Sequence, residues 1–250
     1  MSGSSLPRRR YCENGPPLRH ISDAAAAFGN FFWTGGSKRG FLKSGRLSLL
    51  QQDVLTAFFQ RESKFFLTGG AALAGFYLRH RETHDLDLFT LTDALDEGAA
   101  LVAEIARDFN ASLESIQTSP DFRRFLMRRG TEAVVIDLVR ERVAQRSPEK
   151  SVLNGIRVDT PEEILANKLC ALLSRSEIRD LVDVRALEAA GHRVEDAIPA
   201  ATRKDAGLTA AQLGWVLRQI EIGDDLTPPG GVSAAELRQY LDGLVNRLMR

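Results

Sequence analysis

The chain has 250 residues, is 44% hydrophobic and carries as many acidic as basic side chains. That is enough apolar material for a packed core in one or two domains, and a net charge of zero gives no whole-molecule field that announces nucleic acid. Two cysteines, Cys12 and Cys170, lie far apart and exclude a disulfide scaffold. No apolar run is long enough to span a bilayer, and none of signal-peptide type follows Arg8–Arg10, so the expectation is no membrane partner and a cytoplasmic location.

Residues 1 to about 20 are rich in Pro, Gly and Arg, a composition expected to stay poorly ordered. Residues 21–45 hold an alanine run, Phe28, Phe31, Phe32, Trp33 and Gly35-Gly36, expected as a short helical or irregular extension. The first 50 residues contain eight basic side chains against Glu13 and Asp23. This basic arm can contact phosphates or be a solvated tail. Residues 46–62 read as a helix.

From Lys64 to Thr90 the sequence is KFFLTGGAALAGFYLRHRETHDLDLFT. It reads as an apolar strand, a Gly-Gly turn, a helix and a second strand. Gly69-Gly70 falls where the strand meets a helix N-terminus, where free backbone N–H groups favour an anion, although such a pair also serves as an ordinary turn. Asp85 and Asp87 are two apart, so on a strand they face the same way. Two adjacent like charges repel unless a cation stands between them. A phosphate cradle and paired carboxylates in one segment suit transfer of a phosphoryl or nucleotidyl group from a Mg2+-bound nucleoside triphosphate.

A helix is expected from about Leu95 to Phe109. Phe122 to Met127 and Glu132 to Val139 read as two strands joined at Arg129-Gly130. Asp137 interrupts the apolar run Val134–Val139; a charge there demands a partner or a metal. It is the candidate third acid beside Asp85 and Asp87. Thr160-Pro161-Glu162-Glu163 is a helix start, with Thr160 as N-cap, Pro161 at N1 and Glu163 completing a capping box. Residues 157–190 are expected to be helical, with Lys168 and Arg175 on one face, Arg179, Asp180 and Asp183 following, and Gly191 as the stop. Thr209 to Ile222 and Ser233 to Met249 read as helices separated by Pro228-Pro229-Gly230-Gly231.

The order TGGAALAGFYLRHRETHDLDLF, then VVIDLV, then ANKLCALLSRSEIRDLVDV resembles the AbiEii-type toxin nucleotidyltransferase family, a branch of the polymerase-beta-like nucleotidyltransferase superfamily. The resemblance covers Phe65 to Leu187. It implies that Gly69 and Gly70 approach the nucleotide phosphates and that Asp85 and Asp87 bind metal. It places Asp137 at the family's later acidic strand position, Lys168 at its triphosphate-contacting lysine and Asp180 in its last motif. Ala71 stands where the family often has Ser or Thr, so no hydroxyl is available for self-modification there. The implied cofactor is Mg2+, the implied substrate an NTP, and the implied setting a bacterial toxin–antitoxin or phage-defence pair with a cognate antitoxin and an RNA acceptor such as tRNA. A small-molecule or protein acceptor, or a non-catalytic partner-binding protein of this fold, is the alternative.

The expected fold is α+β, a small mixed sheet with flanking helices followed by a helical C-terminal half. The expected divisions are residues 1–45, an extension; 46–150, a nucleotidyltransferase domain; and 151–250, a helical domain. The nucleotide is expected between the last two.

Overall fold

The computed structural model describes residues 46–143 and 145–250; Cys12 and the expectations for residues 1–45 lie outside them. The described residues gather into one compact unit. Helix α1 (Leu49–Arg61) begins in a capping box made by Ser48 and Gln51 and leads into β1 (Phe65–Thr68). A short helix α2 (Gly69–Ala72) continues into a π-helical turn, Leu73–Tyr77. Strand β2 (Asp85–Thr90) and helix α3 (Leu95–Asp108) follow. Next come β3 (Ser112–Ser119), β4 (Phe122–Arg129) and β5 (Glu132–Arg140), then the short pair β6 (Ser151–Leu153) and β7 (Ile156–Val158). The remainder is helical: α4 (Pro161–Arg175), α5 (Ile178–Ala189), α6 (Val194–Lys204), α7 (Ala210–Leu217) and α8 (Ala234–Leu248).

All seven strands form one mixed sheet in the order β3-β4-β5-β2-β1-β7-β6. Strand β2 lies at its centre, antiparallel to β1 and parallel to β5. The parallel pairing requires a crossover between them, which α3, β3 and β4 provide. Period-two alternation sorts the side chains of the central strands. Leu86, Leu88, Ile136, Leu138, Phe125 and Met127 face one way and are buried in the core with residues of α1 and α3 such as Phe58 and Ile105. The opposite face carries Asp85, Asp87 and Asp137. Helix α4 packs on α5, α6 and α7, and α7 on α8, with Leu165, Leu169 and Leu172 buried.

The sheet does not stop near residue 150. Strand β7 pairs with β1, Leu67 opposite Val158, so the segment entering the helical half is a strand of the same sheet. Thr160 caps α4 by accepting from the Glu163 amide at 3.3 Å, but the expected box is only half present. The buried Glu163 carboxylate instead accepts from the Arg146 amide at 2.7 Å and meets Lys204 at 2.9 Å. Cys170 is half-buried and packed beside the core. Among the described residues no helix is long and apolar enough to cross a membrane.

Candidate active site

Three carboxylates meet on one sheet face because two register facts coincide. Asp85 and Asp87 are alternate residues of β2, so both point to the same side. Asp137 of β5 is the Cα partner of Asp87, and in-register neighbours share a face. The row extends across the sheet as Thr68, Asp87, Asp137 and Arg124.

The three acids are satisfied unequally. Asp137 is buried and held by Arg124, whose Nε and Nη2 donate to its two oxygens at 2.8 and 2.6 Å. Asp85 accepts from Thr83 Oγ1 at 2.6 Å and from Arg179 Nη1 at 3.3 Å. Burial pushes the Asp85 carboxyl up, but the Thr83 hydrogen bond and the charges of Arg179, Lys168 and Arg81 outweigh it and hold the group below its usual range. Among the described residues no donor or cation sits on Asp87. Burial, followed by the charges of Asp85 and Asp137, pushes its pKa up to about 7.

Gly69 opens α2 against this acid. Its φ is +65°, a conformation that suits glycine, and a Cβ there would fall 2.1 Å from Asp87 Oδ2. The turn thus presses main chain onto the unpaired carboxylate.

Behind the carboxylates lies a buried ion network tying α4 and α5 to the sheet side. Lys168, only 7% exposed, reaches Asp180 and Asp183 with Nζ at 2.7 Å each. Arg175 contributes a second cation to Asp180 at 2.8 Å. Arg81 grips Asp183 with Nε and Nη2 at 2.6 and 2.8 Å, and His80 Nε2 adds a contact at 2.7 Å. Burial pushes Asp180 and Asp183 up, but the facing Lys168, Arg175 and Arg81 charges hold both below the ordinary carboxylate range. The Arg81 guanidinium abuts the second glycine, since a Cβ on Gly70 would meet Nη2 at 2.6 Å.

Of the residues expected in the site, Asp85, Asp87, Asp137, Gly69 and Gly70 stand together. Lys168 and Asp180 stand together in the ion network, with Arg179 reaching from α5 to Asp85. Arg124, Arg81 and His80 are further participants. Arg124 was legible only through register, because it faces Asp137 once β4 and β5 pair; nothing in the sequence near Arg81 points to Asp183, 102 residues away.

All-oxygen donors of this kind suit Mg2+, which binds through one or two carboxylates plus substrate phosphates rather than a complete protein cage. Among the described residues no three His, Cys, Asp or Glu side chains make such a cage. The unpaired Asp87 beside two further acids fits that mode of binding.

A mixed sheet with paired acids on its central strand and a glycine turn against them is the arrangement of a nucleotidyltransferase fold. Solved structures share the fold. A Helicobacter pylori protein provisionally named a nucleotidyltransferase matches with a TM-score of 0.54 and 18% identity, over 80% of this chain and 92% of that one. JHP933 from Helicobacter pylori matches with a TM-score of 0.51 and 17% identity, over 80% and 89%. No curated protein shows a significant match. Residues 53–246 match the family described as nucleotidyl transferase AbiEii toxin, type IV toxin–antitoxin system. The chain belongs to that family and is a nucleotidyltransferase; membership implies a nucleoside triphosphate substrate and a cognate antitoxin.

Proposed function

We propose that the protein moves an NMP from a Mg2+-bound NTP to an acceptor hydroxyl of RNA, with tRNA the leading candidate, as the toxin half of its pair. The observation that carries this reading is Asp87: a half-buried carboxylate with no cation of its own among the described residues, beside Asp85 and Asp137. Asp85, Asp87 and Asp137 are the residues that would hold Mg2+, which when bound supplies charge neutralisation at the triphosphate.

The chain's own groups then have distinct tasks. The Gly69-Gly70 main chain positions the phosphates. Arg124 fixes the Asp137 side chain with two hydrogen bonds, leaving a second lone pair on each carboxylate oxygen. The acceptor oxygen bonds to the α-phosphorus, the bond to the bridging oxygen of the β-phosphate breaks, pyrophosphate leaves, and the hydroxyl proton passes to Asp137. Lys168 acts from behind this row, since its charge lowers the pKa of both Asp85 and Asp87 and offsets charge building on the leaving group. Asp180 holds that lysine in place at 2.7 Å.

Incubation with each labelled NTP, Mg2+ and total cell RNA tests the reading. Transfer of label to RNA by the wild type and not by Asp87→Asn is the expected result. Label on protein or small molecules alone overturns the RNA acceptor, and no label on any acceptor overturns the assignment.

A further inference from the structure

Beside the carboxylate row lies an apolar strip that, apart from the buried Phe66, is only partly buried among the described residues. One step along the same sheet face lies a second in-register row: Phe66, Phe89, Val139 and Phe122. On the other side of the acids lie Val135 and Leu126, the register partners that follow Asp85. Phe89, Val139, Phe122, Val135 and Leu126 are all only partly buried, and none belongs to the core cluster or to the side chains packed against it. Their neighbours on the reverse face, Leu88, Leu138 and Met127, are fully buried in that cluster. Apolar area left outside the core beside a reaction centre is what binding surfaces look like.

We infer that this row is a stacking platform for a nucleobase of the acceptor strand, centred on Phe122 and Arg124. Every base offers a π-face to an aromatic ring, and Arg planes stack on bases as well. Arg124 already lies over the Phe122 ring, with Cζ 5.3 Å from the centroid, while its Nε and Nη2 donate to Asp137. One residue therefore links platform and carboxylates. A base on Phe122 sits one side-chain row, about 7 Å, from the Asp87–Asp137 row, which brings its sugar towards the acids.

Two further observations select the acceptor over the NTP as the source of that base. Gly69 reaches Asp87 from the β1 side, whereas Phe122 lies beyond β5 on β4; triphosphate and acceptor thus approach from opposite sides. Strand β4 also places Arg128 on the same face as Arg124; its ion pair with Glu114, at 3.3 Å, is exposed and so is weak enough to give way to a phosphate. The inference rests on the transfer activity proposed above.

The test compares Phe122→Ala and Phe122→Trp with wild type in transfer to bulk tRNA, and crosslinks each full-length protein to a single-stranded oligoribonucleotide ending in 4-thiouridine. Phe122→Ala is expected to raise the acceptor KM about fivefold or more, the lower end of what one stacked base contributes. The NTP KM is expected to stay in place, Phe122→Trp to retain the wild-type acceptor KM, and the crosslink to map to β4. The inference is overturned if the NTP KM rises instead, if neither KM moves in an Ala variant of wild-type melting temperature, or if crosslinks fall outside β4, as they would were another part of the chain seated there. An Ala variant that does not fold leaves the Trp variant and the crosslink to decide. Should the wild type label no RNA at all, the transfer reading fails, and the crosslink still tests the platform.

Discussion

Among the described residues no cation or donor neutralises Asp87. Its pKa is raised to about 7, so the folded state holds this proton more tightly than the unfolded chain does. The stability this contributes is complete below the unfolded pKa, about 4, and is lost as pH rises towards the folded value. Asp87→Asn cannot ionise. Its melting temperature should therefore exceed that of wild type by a margin that grows between about pH 4 and pH 7, measured by calorimetry without divalent ions. A constant margin would mean that Asp87 is solvated and ordinary. Lys168 presents the reverse case. Its ammonium is shared by two buried carboxylates, so Lys168→Ala leaves uncompensated charge and should cost about 3–5 kcal/mol in denaturant unfolding. A change below about 0.5 kcal/mol, the scale of a surface substitution, would place Lys168 on a solvated face.

Among the elements, the β1–α2 turn is the least tolerant of change. Gly69→Ala combines a positive φ with a Cβ overlapping Asp87 Oδ2. It should lower the melting temperature by several degrees, the response of a domain of this size to a loss of about 1–3 kcal/mol, and it should remove transfer; a fully active, stable Ala variant would show that main chain and carboxylate do not meet. This turn was legible in the sequence because its parts are local: an apolar run, a glycine pair and alternating aspartates. The β4–β5 hairpin and the Thr160 cap were legible for the same reason, each resting on neighbours within a few residues. Strand β3 was not, since its side chains Ser112, Glu114, Ser115 and Gln117 are polar and largely exposed and show no apolar alternation. Strands β6 and β7 are three residues each, too short for periodicity to register, and β7 was absorbed into the helical reading that follows it. Helix α6 carries an internal Pro199, which reads as a breaker. At the site, the acids were visible as residues out of keeping with their strands, whereas their partners were not. Arg124, Arg81 and Arg179 reach Asp137, Asp183 and Asp85 across pairings that only the folded sheet and helices create.

At the scale of the molecule, the sheet supplies the three acids and Arg124, while the helical half supplies Lys168, Arg175 and Arg179, within one compact unit. Among the described residues, no cation pairs with Asp87. Mg2+ should therefore raise the melting temperature of wild type, because a ligand that binds only the native state stabilises it. It should do so much less for Asp87→Asn. Equal shifts would remove Asp87 from the metal site without reference to catalysis. The most direct test of the central claim is label transfer from a nucleoside triphosphate to total RNA, comparing wild type with Asp87→Asn in the presence and absence of Mg2+. The account predicts labelled RNA for the wild type with Mg2+ only, and a rate at least tenfold lower for Asp87→Asn, the loss of about 1.4 kcal/mol or more of transition-state stabilisation. An Asp87→Asn protein that labels RNA at the wild-type rate would contradict it.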